Sequence, residues 1–64
     1  MKNYIVGAIN FFDNDLKLEK ISAENEIEAV NKHSMVNGSF ESKTLEEAKV
    51  EAFDMDMMVD VIEI

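Results

Sequence analysis

Nine residues near the start of the chain, Tyr4 to Phe12, limit the fold more than any other stretch. In an extended backbone Tyr4, Val6, Ala8 and Phe12 fall on one side, and Ile5, Gly7, Ile9 and Phe11 on the other. The β-branched and aromatic content and the short length favour a strand. Apolarity on both sides predicts a central strand, covered on both faces. The remaining segments must then either pair with this strand or cover it.

Asp13-Asn14-Asp15 is turn chemistry, because Asn and Asp tolerate left-handed backbone and cap their own turns. Leu16 and Leu18 alternate with Lys17 and Glu19, which reads as a half-exposed second strand and completes a β-hairpin. Ile21 and Ala23 then fall on the opposite side, and a bulge near Glu19-Lys20 would account for the slip. Asn25 with Glu28 is a variant capping box that opens a helix running to about Val36. That helix carries Ile27, Val30 and Ser34 on one side, flanked by Ala29 and His33, and Asn37-Gly38 is its stop. Ser39 to Lys43 is a loop with one exposed aromatic, Phe40. Thr44 with Glu47 is a second capping box, and Leu45, Ala48 and Ala52 form the inner face of a second helix, with Phe53 beside them. Met57 to Ile64 reads as a last strand, with Met57, Val59 and Val61 alternating with Met58, Asp60 and Ile62.

The expected architecture is an α+β domain over residues 1–64 with element order β-β-α-α-β. A right-handed crossover places the last strand beside the first, giving sheet order 2-1-3 with both helices on one face. The other face then keeps either the Tyr4, Val6 and Phe12 set or the Ile5, Ile9 and Phe11 set without cover. A bare apolar patch marks an interaction surface. Tyr4, Val6, Phe11 and Phe12 are therefore candidates for a homodimer interface.

Composition narrows the functional classes. The chain has no Cys and no Pro, which excludes disulfide staples, zinc fingers and iron–sulfur ligation by thiolates. Fourteen acids against six lysines give a net charge of −8, and phosphate recognition draws on Lys and Arg. Direct binding of nucleic acid or of an anionic membrane is not expected. The longest run without a polar side chain is Tyr4 to Ile9, far short of the about 20 residues of a membrane span. Met1-Lys2-Asn3 resembles a short signal n-region. Asn10 interrupts the apolar stretch that follows, and acids stand where a cleavage site would lie. The expected location is the cytoplasm. A core of this size supplies roughly 3–5 kcal/mol, so a second copy or a partner is a natural source of further burial.

No catalytic constellation is legible. Ser22, Ser34, Ser39 and Ser42 share one conceivable base, His33, with no nucleophile signature around any of them. His33 itself reads as a surface or boundary residue. Gly7 and Gly38 cannot build a phosphate loop, and no cofactor is expected. Asp54, Asp56 and Asp60 invite a calcium reading, but Met58 and Val59 stand where a further ligand and a glycine belong. Those acids, and Asp13 with Asp15, read as solvated turns or helix ends, and no metal is expected. Met55, Met57 and Met58 read either as an adaptable binding surface or, by preference, as gap-fillers between helix and strand.

The charge is unevenly placed. Residues 1–32 carry −2 and residues 33–64 carry −6. Glu47, Glu51 and Asp54 line one stripe of the second helix, with Glu46 beside it. This stripe either keeps the chain soluble or meets a basic partner surface. Phe40 is a candidate anchor for such a contact, or equally it folds back onto the core.

The string Ile21-Ser22-Ala23-Glu24-Asn25-Glu26-Ile27-Glu28-Ala29, which leaves a strand and opens a helix, resembles small acidic α+β proteins encoded by bacteriophages. Tyr4-Ile5-Val6 before Phe11-Phe12-Asp13-Asn14-Asp15, and the ending Val59-Asp60-Val61-Ile62-Glu63-Ile64, are similar in style. The resemblance implies an accessory protein that inhibits host machinery: RNA polymerase, restriction enzymes, CRISPR effectors or nucleases. Some members of that group imitate DNA with carboxylates, and this chain is less acidic than the strongest of them. One small phage inhibitor of host RNA polymerase is similar in order but lacks the second helix, so no functional residue carries over. The reading is a non-enzymatic protein-binding module in the host cytoplasm, of anti-CRISPR, anti-restriction or DNA-mimic type. Its expected partner is a host protein or protein–nucleic-acid complex with a basic surface. The alternative is a structural homodimer or assembly subunit that uses the uncovered sheet face.

Overall fold

The computed structural model describes all 64 residues, Met1–Ile64. Five elements follow in order: β1 Lys2–Asn10, β2 Asp15–Ala23, α1 Glu26–Lys32, α2 Leu45–Asp54 and β3 Met57–Glu63. The sheet order is β2-β1-β3, with β1 antiparallel to both neighbours. This is the α+β architecture read from the sequence, with the two-sidedly apolar segment in the centre.

Only one side of β1 is covered. Tyr4, Val6 and Ala8 point into a cluster of 14 buried residues, together with Ile21 and Ala23 of β2 and Met57, Val59 and Val61 of β3. The helices contribute Ala29, Val30, Ala48 and Ala52, and the long connection between them adds Val36 and Phe40. Helix α1 touches all three strands, whereas α2 packs chiefly along β3. The expectation that β1 is covered on both faces is therefore corrected, because the two helices have surface enough for one.

Several boundaries differ from the sequence reading, each for a local reason. Phe11 and Phe12 lie in the turn and not in β1. The Asn10 side chain turns the chain there, its Oδ1 accepting the N–H of Phe12 at 2.9 Å and of Asp13 at 3.4 Å. Asn14 supplies the left-handed residue of the hairpin, φ 53°. The ladder from Lys2↔Ala23 to Asn10↔Asp15 is unbroken, so the bulge expected near Glu19-Lys20 is absent. Leu16 and Leu18 lie on the uncovered face, while Ile21 and Ala23 lie on the covered one.

Helix α1 ends at Lys32 and not near Val36. His33 turns extended, φ −63° and ψ 139°, and its imidazole is fully buried, which corrects its reading as a surface residue. Nδ1 accepts the N–H of Met35 at 3.1 Å. Nε2 therefore carries the proton, which it directs to the Lys17 carbonyl at 3.0 Å. One ring so ties the turn after α1 to β2. Both N-caps form as expected: Asn25 accepts from Glu28 N–H, and Thr44 from Glu47 N–H.

Two substitutions check this arrangement. Val6 is fully buried, and an isolated carboxylate there outweighs the roughly 3–5 kcal/mol that such a core supplies. Val6→Asp is expected to lose native circular dichroism, whereas Leu18→Asp, on the uncovered side, stays folded in dilute solution. Equal tolerance of both would show that the faces have been assigned wrongly. His33→Leu leaves the Met35 N–H and the Lys17 carbonyl without their partner. It is expected to lower the urea-unfolding free energy by about 2 kcal/mol.

Candidate functional site

The uncovered face is built by alternation along three strands. Register places Ile5, Gly7 and Ile9 of β1 between Lys20, Leu18 and Leu16 of β2 and Ile62, Asp60 and Met58 of β3. Leu18 is 68% exposed and Ile62 66%, with Leu16 and Met58 also open to solvent. Gly7 leaves room for Leu18 to lie across the sheet, since a Cβ at residue 7 would stand 2.9 Å from Leu18 Cδ2. This face is a continuous apolar strip with few polar interruptions.

Helix α2 extends the strip beyond the sheet. It runs along β3 with Ala48 and Ala52 turned into the core. Lys49 and Phe53, one residue on from each, lie on the side of the uncovered face. Lys49 Nζ reaches Asp60 Oδ1 at 3.5 Å. Phe53 meets Phe11 edge to face, with ring centroids 6.4 Å apart. Between helix and sheet lies a groove of about 470 Å³, walled by Gly7, Ile9, Leu16, Phe53 and Met58 and rimmed by Lys49 and Asp60. Phe12 stands at the adjacent hairpin tip with its side chain 86% exposed.

The residues singled out from sequence are distributed differently from expectation. Tyr4 and Val6, two of the four candidate interface residues, are buried beneath the helices and cannot touch a partner. Phe11 and Phe12 lie beside the open face, at its turn end. Phe40, the candidate anchor, is 5% exposed and belongs to the core, its N–H held by Asn31 Oδ1 at 3.1 Å. Phe53, placed on the inner side of α2, is exposed. Leu16, Leu18 and Ile62 are not among the contact residues expected from sequence, and Met58 is so only in the adaptable-surface reading of the methionines. The signal is the apolar outward position on each edge strand, Leu16 and Leu18 on one and Met58 and Ile62 on the other.

The acidic stripe is partly spent on the fold. Glu51 accepts the N–H groups of Glu41 and Ser42, each at 3.1 Å, and the Ser42 hydroxyl. The Ser42 hydroxyl is the main cause that holds its pKa below the ordinary glutamate value; the Glu41 and Ser42 amides add to it. Glu47 accepts the Lys43 N–H at 3.1 Å. Glu46 and Asp54 make no hydrogen bond or ion pair and face solvent. Glu19 plays a parallel part on β2. It accepts the Ser34 hydroxyl and the Ser34 N–H, and the hydroxyl contact leads in holding its pKa low.

No group of three or more His, Asp or Glu side chains lies together in a way that could hold a metal ion. Asp56 takes the left-handed conformation between α2 and β3, φ 58°, and Asp60 is engaged by Lys49. No helix is long and apolar enough to cross a membrane. The chain matches no protein-family model, no curated protein and no solved structure.

A lowered folded pKa means that Glu51 stabilises the fold above the ordinary glutamate value. That contribution is lost as the pH falls through the lower folded value. Glu51→Gln is therefore expected to have a lower urea midpoint than the parent at neutral pH, with the gap closing on acidification. A gap that does not change with pH would refute the capping role.

Proposed function

We propose that this chain is a non-enzymatic protein-binding module whose contact surface is the open sheet face. The observation that carries the reading is the strip formed by Leu16, Leu18, Met58 and Ile62, four large apolar side chains exposed on one face of a small sheet. Leaving such a strip in water forgoes roughly 25 cal/mol for each Å² of apolar surface. Continuous patches of this kind mark interaction sites. The one histidine is occupied by two backbone groups and faces no serine, which supports a binding role over a hydrolytic one.

A second reading places the contact on the acidic side of α2. It is supported by Glu46, Glu47 and Asp54, which are exposed and form no ion pair with a lysine side chain, while Lys49 is turned to Asp60. In that reading the module is an accessory inhibitor of phage type. It would occupy a basic surface on a host nucleic-acid-handling or defence complex, and complementary charge would speed the encounter.

Affinity capture from a bacterial lysate at two salt concentrations separates the two. The baits are the parent chain, Leu18→Asp, and a Glu46→Lys/Asp54→Lys double variant that leaves the backbone-capping carboxylates in place. The open-face reading expects proteins retained by the parent to be lost on Leu18→Asp alone. Loss on the lysine variant alone, with release by salt, would replace it with the acidic-surface reading.

A further inference from the structure

We propose that the open face is covered by a second copy of this chain, packed face to face about a two-fold axis that runs along β1. This rests on the reading of that face as the contact surface and names its occupant. Three observations converge on a self-complementary partner.

The first is charge. The chain carries −8, yet the only acid among the strand residues of the open face is Asp60, and Lys49 already pairs with it. No other acid lies on this face of the three strands, so two copies approaching through the sheet meet little like charge. Lys20, on the same face at the opposite edge, has no ion-pair partner within its own chain. A two-fold axis along β1 lays β2 of each copy over β3 of the other. It carries each Lys20 above the partner's Ile62, two residues from the partner's Asp60. That offset is about 7 Å along a strand, within reach of a lysine side chain.

The second is shape. The same axis keeps both hairpin tips at one end and exchanges their sides. The β1–β2 turn of one copy then arrives at the β3 side of the other, where the groove beside Phe53 and Met58 opens. Phe12 is the aromatic on that turn that lies most open to solvent, 86% exposed. It is the side chain that fills the groove, twice by symmetry.

The third is size. The molecule measures 32 × 21 × 16 Å, and a nine-residue strand such as β1 or β2 is about 30 Å long, close to the longest of these dimensions. A footprint of that extent is of the same order as the about 800 Å² per partner in a standard interface. Face-to-face sheets pack about 10 Å apart with strands nearly aligned, and the twist of each sheet accommodates the crossing.

Sedimentation equilibrium of the purified chain across a wide concentration range tests the proposal. The expected result is a monomer–dimer equilibrium that tightens with added salt, because salt screens the repulsion between two acidic chains. Leu18→Asp should be monomeric. Phe12→Ser, which disturbs nothing within the monomer, should raise the dissociation constant at least about tenfold. Lys20→Asp alone should weaken the dimer about two- to fivefold, and the Lys20→Asp/Asp60→Lys exchange should restore it. A parent chain that stays monomeric throughout, or a dimer indifferent to Leu18→Asp, overturns the proposal. A dimer sensitive to Leu18 but indifferent to Phe12 and to the charge exchange overturns the two-fold placement. If the parent is monomeric while lysate capture still depends on Leu18, the second copy falls and the contact surface stands. If Leu18→Asp alters neither measurement, both fall.

Discussion

The rest of the structure follows from β1 being apolar on two faces while the chain can cover only one. A central strand satisfies its backbone on both edges, so β1 recruits β2 by the hairpin and β3 by the crossover. Both faces of the resulting sheet then carry Ile, Val or Leu, and the 35 residues outside the strands and hairpin turn supply the cover. That cover is spent on Tyr4, Val6 and Ala8. It leans towards the β3 side, where α2 lies, and the turn after α1 closes the β2 side through His33. Neither helix packs over Ile5, Ile9 and their neighbours, so the open face follows from strand composition and from where the two helices pack.

The same shortage explains how the acids are used. Helix α1 has seven residues and α2 ten, lengths at which isolated helices are marginal. There is no disulfide to fix the connections. The carboxylates take that part: Glu51 gathers the Glu41–Ser42 turn, Glu47 closes back on Lys43, and Glu19 holds Ser34 beside β2. Each satisfies backbone N–H groups in irregular segments that have no ladder of their own. The stripe on α2 is thus two populations at helical spacing. Glu47 and Glu51 hold loops, whereas Glu46 and Asp54 contribute only charge.

How much of this was legible in the sequence depended on whether the deciding interaction was local. The hairpin, both N-caps, the last strand and the sheet order rest on neighbouring residues or on a general handedness rule, and all appear. The end of α1 depended on a contact between His33 and Lys17, sixteen residues away, which no periodicity reports. Phe40 looked exposed because its neighbours are polar, yet its loop is drawn in by Asn31. On β2, the alternation of Leu16 and Leu18 was correctly seen and wrongly explained. A change of apolar face along a strand has two causes, a bulge or a sheet apolar on both sides, and only the pairing register separates them. The contact surface was missed in part for the same reason: its residues occupy the positions that a one-sided sheet would give to polar side chains.

Acidity and the bare face, which pull against each other at first sight, solve one problem jointly. An exposed apolar strip on a neutral domain would associate with any similar surface, and long regular edge strands such as β2 invite further pairing. In the proposed dimer, a net charge carried mostly off the strip disfavours acidic proteins and every other approach of a second copy relative to the one that brings the two strips together. Long-range repulsion is screened over about 8–10 Å in salt, whereas apolar burial acts only at contact. In that dimer charge would select the orientation and contact would supply the energy. This division of labour requires that the strip stay nearly free of acids, and Asp60, paired with Lys49, is the one strand acid the sheet places on it.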